Sequence, residues 1–72
     1  MTYEERECYL MVVTADYLMR RWKKNMQQFL IMDEQYGILN FILLGYEPFH
    51  LTGEQGVAEE VEAFIREQGG VI

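Results

Sequence analysis

The chain has 72 residues, half of them hydrophobic, with a net charge of −6 and one cysteine. This length predicts a single domain, residues 1–72, and the apolar content argues against disorder. The absence of a long apolar run excludes a transmembrane helix, the charged start is unlike a signal peptide, and a lone cysteine suits the cytoplasm.

The first helix is predicted from Thr2 or Tyr3 to between Trp22 and Lys24, with Thr2 as the N-cap. Helical spacing gives it a core stripe of Cys8, Met11, Val12, Ala15, Leu18, Met19 and Trp22. A strand over residues 9–14 is the rival interpretation, since Tyr, Val and Thr favour sheets. The stripe continues on both sides of that run, which favours the helix.

The opposite side of the first helix carries a second apolar strip, formed by Tyr9, Leu10, Val13 and Tyr17. Neighbouring helices could cover it. Alternatively it is a surface for self-association or for a protein partner, because large exposed apolar patches usually mark contacts. Tyrosine suits such surfaces, since its ring can be buried while its hydroxyl stays in water.

The second helix is predicted to begin near Asn25, a good N-cap, and to end at Tyr36, with Gly37 as a left-handed stop. Its apolar side draws on Met26, Phe29, Leu30, Met32 and Tyr36. Asp33 and Glu34 could face a partner or water, and we expect water.

The third helix, from Ile38 to Gly45 or Tyr46, has only Asn40 as a polar interior residue. A helix that is apolar on nearly all sides is expected to be buried. We expect Gly45 to allow close approach of another helix, and Pro48 to end the element because it lacks an amide hydrogen.

The fourth helix is predicted from a capping box formed by Thr52 and Gln55, and Gly69-Gly70 closes it. Its apolar face consists of Val57, Ala58, Val61, Phe64 and Ile65, and its solvent face of Glu59, Glu62, Arg66 and Glu67. The predicted fold is therefore all-α, a compact bundle of three to four helices with a buried, short third helix.

Candidate chemical sites are few. Glu59, Glu60 and Glu62 could form a metal or acid/base cluster, but a solvated charge run is the preferred interpretation. Cys8 lies on the core stripe and is interpreted as a small buried hydrophobe, not a nucleophile. We predict no metal, no cofactor and no enzymatic activity.

The chain's only histidine, His50, precedes the last helix. It could bond a free helix-end carbonyl or the Tyr46 hydroxyl, and thereby fasten a turn that Tyr46, His50 and Thr52 build. A titrating switch is the alternative, since the ordinary pKa of histidine is near physiological pH.

Charge is unevenly distributed along the chain. Residues 1–24 carry four acidic and five basic side chains, whereas residues 25–72 carry eight acidic ones and a single base, Arg66. The acidic part repels phosphate, so nucleic acid is an improbable partner. The cluster from Arg20 to Lys24 leaves a nucleic-acid-binding regulator as the alternative.

The segment from Phe29 to Ile65 resembles a family of small bacterial proteins defined only as a domain of unknown function. The resemblance rests on Tyr36-Gly37-Ile38-Leu39, on the pattern from Tyr46 through Glu47, Phe49 and His50 to Gly53, and on Glu59-Glu60-Val61. It implies a small helical domain without assigned catalysis. Some relatives are encoded beside ADP-ribosyltransferase-like proteins, which implies a toxin as partner.

Together these features predict a small non-catalytic protein-interaction domain, acting as an accessory or neutralising, antitoxin-like partner of a neighbouring protein. The predicted contact residues are Tyr9, Leu10, Val13 and Tyr17. Self-association as a homodimer is a second form of the same contact.

Overall fold

The computed structural model describes residues 1–72, which form five α-helices and no strand. The helices are α1 Tyr3–Trp22, α2 Met26–Tyr36, α3 Ile38–Leu44, α4 Tyr46–Phe49 and α5 Glu54–Glu67. The predicted all-α fold is confirmed, with α4 as an additional helical turn. The rival strand over residues 9–14 is wrong, because α1 runs through it without interruption.

The first two helices begin where their capping residues predict. Thr2 and Glu5 form a capping box at the start of α1, each side chain bonding the other's backbone N–H at 3.1 Å. Asn25 and Gln28 form a second box at the start of α2. Lys23 ends α1 in the left-handed conformation, with φ of 56°.

Gly37 joins α2 to α3 in the left-handed conformation, with φ of 71°, which a glycine adopts without strain. The Asp33 carboxylate reaches across this junction and accepts a hydrogen bond from the backbone N–H of Leu39 at 2.7 Å. The expectation that Asp33 faces water is wrong, since its carboxylate satisfies an amide that the start of α3 leaves without a helical partner.

Pro48 does not end a helix, contrary to expectation. It is the third residue of α4, in the first turn, where an amide hydrogen would have no helical acceptor in any case. The α3 helix ends one residue before Gly45. A Cβ at Gly45 would lie 2.4 Å from the Phe49 ring, so this glycine admits a side chain of the next turn, not another helix.

The predicted capping box at the last helix is also wrong. The N-cap of α5 is Gly53, which has no side-chain cap, while the Thr52 hydroxyl donates to the Pro48 carbonyl oxygen at 3.0 Å. Gln55 reaches forward to Glu59 instead of back. Thr52 therefore belongs to the end of α4, where the Pro48 carbonyl oxygen accepts both its hydroxyl and the Leu51 N–H.

The core draws on every helix. Its nine buried members are Leu18, Phe29, Ile38, Ile42, Phe49, Val57, Ala58, Val61 and Ile65. One side of α3 lies centrally among α1, α2 and α5, as predicted, although Leu44 on its other side is 79% exposed. Phe41 stacks on Phe64 with ring centroids 4.1 Å apart.

Two assignments on α1 need correction. Cys8 and Val12, both predicted to be in the core, are exposed, whereas Thr14 is buried. The buried side of α1 is thus rotated towards Thr14 and Leu18 relative to the predicted stripe. None of the five helices is both long enough and apolar enough to cross a bilayer.

Candidate interaction surface

An apolar groove of about 350 Å³ runs between α1 and the paired helices α2 and α3. Of its ten lining residues only Asp16 is polar. The others are Cys8, Met11, Val12, Ala15, Met19, Met26, Phe29, Leu30 and Leu39. Several of these side chains are open to solvent: Val12 is 62% exposed, Met26 58% and Leu30 49%.

Helix lengths explain why this groove is open. At 1.5 Å per residue α1 is about 30 Å long, whereas α2 is about 17 Å and α3 about 10 Å long. The two short helices therefore cannot cover the whole apolar stripe of α1. The stripe residues that they leave uncovered, such as Val12, become one wall of the groove.

The groove has the composition of a site for apolar side chains of another polypeptide. Three methionines, Met11, Met19 and Met26, line it, and their flexible thioether chains adapt to differently shaped partners. Amphipathic helices bind grooves of this kind through residues spaced by one turn. The groove offers one carboxylate, Asp16, for orienting such a ligand.

The predicted strip lies on the other flank of α1. Tyr9 is 63% exposed, while Leu10, Val13 and Tyr17 are half-buried. Val13 and Tyr17 face a recess next to Glu54 at the start of α5. Tyr9 and Leu10 border another recess, beside α4. Only one member of the strip is thus fully open to a partner, and partner binding by these four residues stays a prediction.

Further along this flank, polar bonds close the contact between α1 and α5. The Glu62 carboxylate accepts hydrogen bonds from Arg21 at 2.8 and 3.1 Å and from the Trp22 indole at 2.8 Å. The assignment of Glu62 to the solvent face is wrong, since it is 9% exposed. The buried Glu62 carboxylate is tolerated because these donors replace the hydrogen bonds that it would make with water.

The same bonds shift the ionisation of both partners. The Arg21 guanidinium holds the pKa of Glu62 below its ordinary value, and the Trp22 hydrogen bond acts in the same direction. The Glu62 carboxylate in turn raises the pKa of Arg21. Both groups are therefore charged at neutral pH, and their role is to hold α1 against α5.

The turn at α4 contains the only histidine. His50 Nδ1 donates to the Tyr46 carbonyl oxygen at 2.8 Å, and the two rings stack with centroids 4.8 Å apart. The Tyr3 hydroxyl donates to Glu47 at 2.7 Å, a bond that raises the pKa of Tyr3 to about 12. Together with Thr52, these contacts fasten α4 and tie it to the start of α1.

The basic cluster at the end of α1 is partly neutralised within the chain. Arg20 pairs with Asp16 at 2.8 Å, and Arg21 pairs with Glu62. Trp22 is half-buried against Phe29, with ring centroids 6.4 Å apart, and is not free to stack on a base. No observation favours the nucleic-acid alternative, which stays a prediction.

The arrangement of side chains supports neither an acid/base cluster of Glu59, Glu60 and Glu62 nor a metal site. Glu59 and Glu60 are exposed, while Glu62 turns inwards to Arg21. No three His, Cys, Asp or Glu side chains come together in a way that could hold a metal ion.

No family model, curated protein or solved structure matches this chain. The resemblance to the domain of unknown function therefore remains a prediction, and the surface must be interpreted from its own residues.

Proposed function

We propose that this chain is a small non-catalytic protein-interaction domain that acts in the cytoplasm as an accessory partner of another protein. The observation that carries the proposal is the methionine-lined groove beside α1, with its exposed rim of Val12, Met26 and Leu30. Side chains of this kind gain free energy when a partner removes them from water.

Charge supports a partner surface that is not itself acidic. Residues 25–72, which follow α1, are strongly acidic, with eight acidic side chains and one basic side chain. Opposite charge around an apolar contact accelerates association and favours the correct partner. A neutralising, antitoxin-like role is the narrower form of the proposal, and it rests on the family resemblance alone.

A matched pair of variants tests the proposal. Leu30→Glu places a charge on the groove rim, while Leu51→Glu makes the same change at a residue that is 81% exposed and lines no groove. The tagged wild-type chain and both variants are expressed in native cells and purified. The amount of each co-purified protein is then measured relative to the amount of the tagged chain.

We expect a partner in stoichiometric amount with the wild type and with Leu51→Glu, and a loss of at least about tenfold with Leu30→Glu. Equal unfolding curves of the three chains show that the loss is not a folding defect. A wild-type chain that recovers no stoichiometric protein and also sediments as a monomer contradicts the proposal.

A further inference from the structure

The outermost line of α1 holds two residue pairs, Glu5 with Arg20 and Tyr9 with Asp16, that lie at equal distances from the midpoint between Val12 and Val13. Its exposed members are Glu5, Tyr9, Val12, Asp16 and Arg20. They follow one another at intervals of three or four residues, so they form a single ridge about 22 Å long. The ridge separates the methionine-lined groove from the recesses on the other flank.

This ridge is complementary to itself when two copies run antiparallel. With the symmetry axis beside Val12, Glu5 of one copy lies opposite Arg20 of the other, and Tyr9 lies opposite Asp16. Each pairing occurs twice, as a twofold interface requires. The pairs join a carboxylate to a guanidinium and a phenol to a carboxylate, and an apolar side chain occupies the centre.

The ridge side chains have bonding capacity left for a second copy. One Glu5 oxygen is used by the Thr2 amide, and Glu5 takes part in neither of the ion pairs within the chain. Arg20 pairs with Asp16, but its side chain remains 80% exposed, so its other nitrogens are open to a further carboxylate.

Net charge also favours this face for self-association. Residues 1–24 have one more basic than acidic side chain, whereas residues 25–72 have seven more acidic than basic ones. Two copies that met through the acidic part would repel each other, while contact along α1 brings together the least repulsive surfaces.

We infer that a second copy of this chain binds along the α1 ridge, antiparallel about a twofold axis next to Val12. This inference rests on the proposed function, since Val12 and Asp16 belong both to the ridge and to the groove, and it names the partner.

Sedimentation equilibrium and cross-linking test the dimer. The wild type is expected to sediment at twice its mass of 8.6 kDa at high concentration. Arg20→Glu places two carboxylates opposite each other at both ends of the interface, so it should weaken the dimer by about tenfold or more.

A cysteine probe reports the register. In a chain that already carries Cys8→Ser, the Val12→Cys variant should form a disulfide dimer quickly because the two cysteines meet near the axis. Leu44 is 79% exposed, against 62% for Val12, and lies off the ridge, so Leu44→Cys in the same background should form no disulfide dimer.

A wild type that sediments as a monomer at every concentration overturns the inference, as does Leu44→Cys that cross-links as fast as Val12→Cys. If a different protein is recovered in stoichiometric amount by a monomeric chain, only the choice of partner fails, and the proposed function stands. If neither a second copy nor another protein binds, both fail.

Discussion

The two flanks of α1 are built in opposite ways. Towards α5, Arg21 and Trp22 direct hydrogen bonds to a single buried carboxylate, Glu62, and fix the relative position of the helices. Towards α2 and α3, the contact is made by flexible apolar side chains that remain partly in water. The comparison separates a flank that stabilises the fold from one that is available for binding.

This difference has a physical basis. Hydrogen bonds to a charged group have a defined geometry, so they favour one arrangement of the helices over all others. Methionine contacts are almost equally favourable in many arrangements. Substitutions on the closed flank should therefore change stability, and substitutions at the exposed rim of the open flank should change binding with little effect on stability.

The largest effect is expected from Phe41→Ala, which removes the ring stacked on Phe64 and tilted against Phe49 at 5.5 Å. Loss of this packing should lower the free energy of unfolding by about 3 kcal/mol, at the lower end for aromatic truncations because Phe41 is half-buried. Urea denaturation measures it. Leu44→Ala, on the exposed side of α3, is the control and should change stability by less than about 0.5 kcal/mol.

Next in size is Glu62→Ala, which leaves the Trp22 indole N–H and the Arg21 guanidinium without their shared acceptor. We expect a loss of about 1–3 kcal/mol in the free energy of unfolding. Glu59→Ala removes an exposed carboxylate from the same helix and should be nearly neutral. Equal unfolding midpoints for the two variants would mean that the closed flank is not held by this carboxylate.

The same carboxylate should make stability depend on acid. The folded chain holds the pKa of Glu62 below its ordinary value of 4.5, so the folded state binds protons less readily than the unfolded state. The stabilisation is therefore complete above pH 4.5 and is lost as the pH falls through the lower pKa of the folded form.

Glu62→Gln cannot lose a proton, so its stability should not include this contribution. The difference in the free energy of unfolding between the wild type and Glu62→Gln should shrink as the pH is lowered from 6 to 3, measured by denaturation at each pH. A difference that stays constant over this range is incompatible with a carboxylate whose pKa is lowered by folding.

The smallest effect on stability is expected on the open flank. Leu30→Glu changes a half-exposed side chain with few contacts to lose, so its free energy of unfolding should stay within about 0.5 kcal/mol of the wild type. Thermal unfolding by circular dichroism measures it. A loss comparable to that of Glu62→Ala would show that the groove contributes to the fold, and the distinction between the flanks would disappear.

Helix ends were the part of the fold that local chemistry could predict. The capping residues Thr2, Asn25 and Gly37 act through contacts within a few residues, so their roles could be predicted from the sequence. Thr52 matched the same capping pattern but is not a cap, because the Pro48 carbonyl oxygen, which also accepts from the Leu51 N–H, competes for its hydroxyl. That competitor exists only because residues 46–49 form a helical turn.

The sequence was a poorer guide to which side chains of α1 are buried. Helical periodicity identified the stripe that contains Val12, but periodicity does not say where the covering helices stop. Their lengths do, and a comparison of 20 residues in α1 with 11 in α2 would have indicated an uncovered end. Glu62 could not have been placed, since its acceptor role depends on Arg21, which is 41 residues away in the chain.

The hydrogen bond from Leu39 to Asp33 makes α2 and α3 a single rigid elbow, because it spans the glycine at which the two helices would otherwise pivot. The floor and one wall of the groove, including Phe29 and Leu39, belong to this elbow. The opposite wall of the groove is α1, and Lys23 and Lys24 connect α1 to α2. Phe41 of this elbow also stacks on Phe64 of α5, so a ligand that widens the groove displaces α2 and α3 together and disturbs their contact with α5.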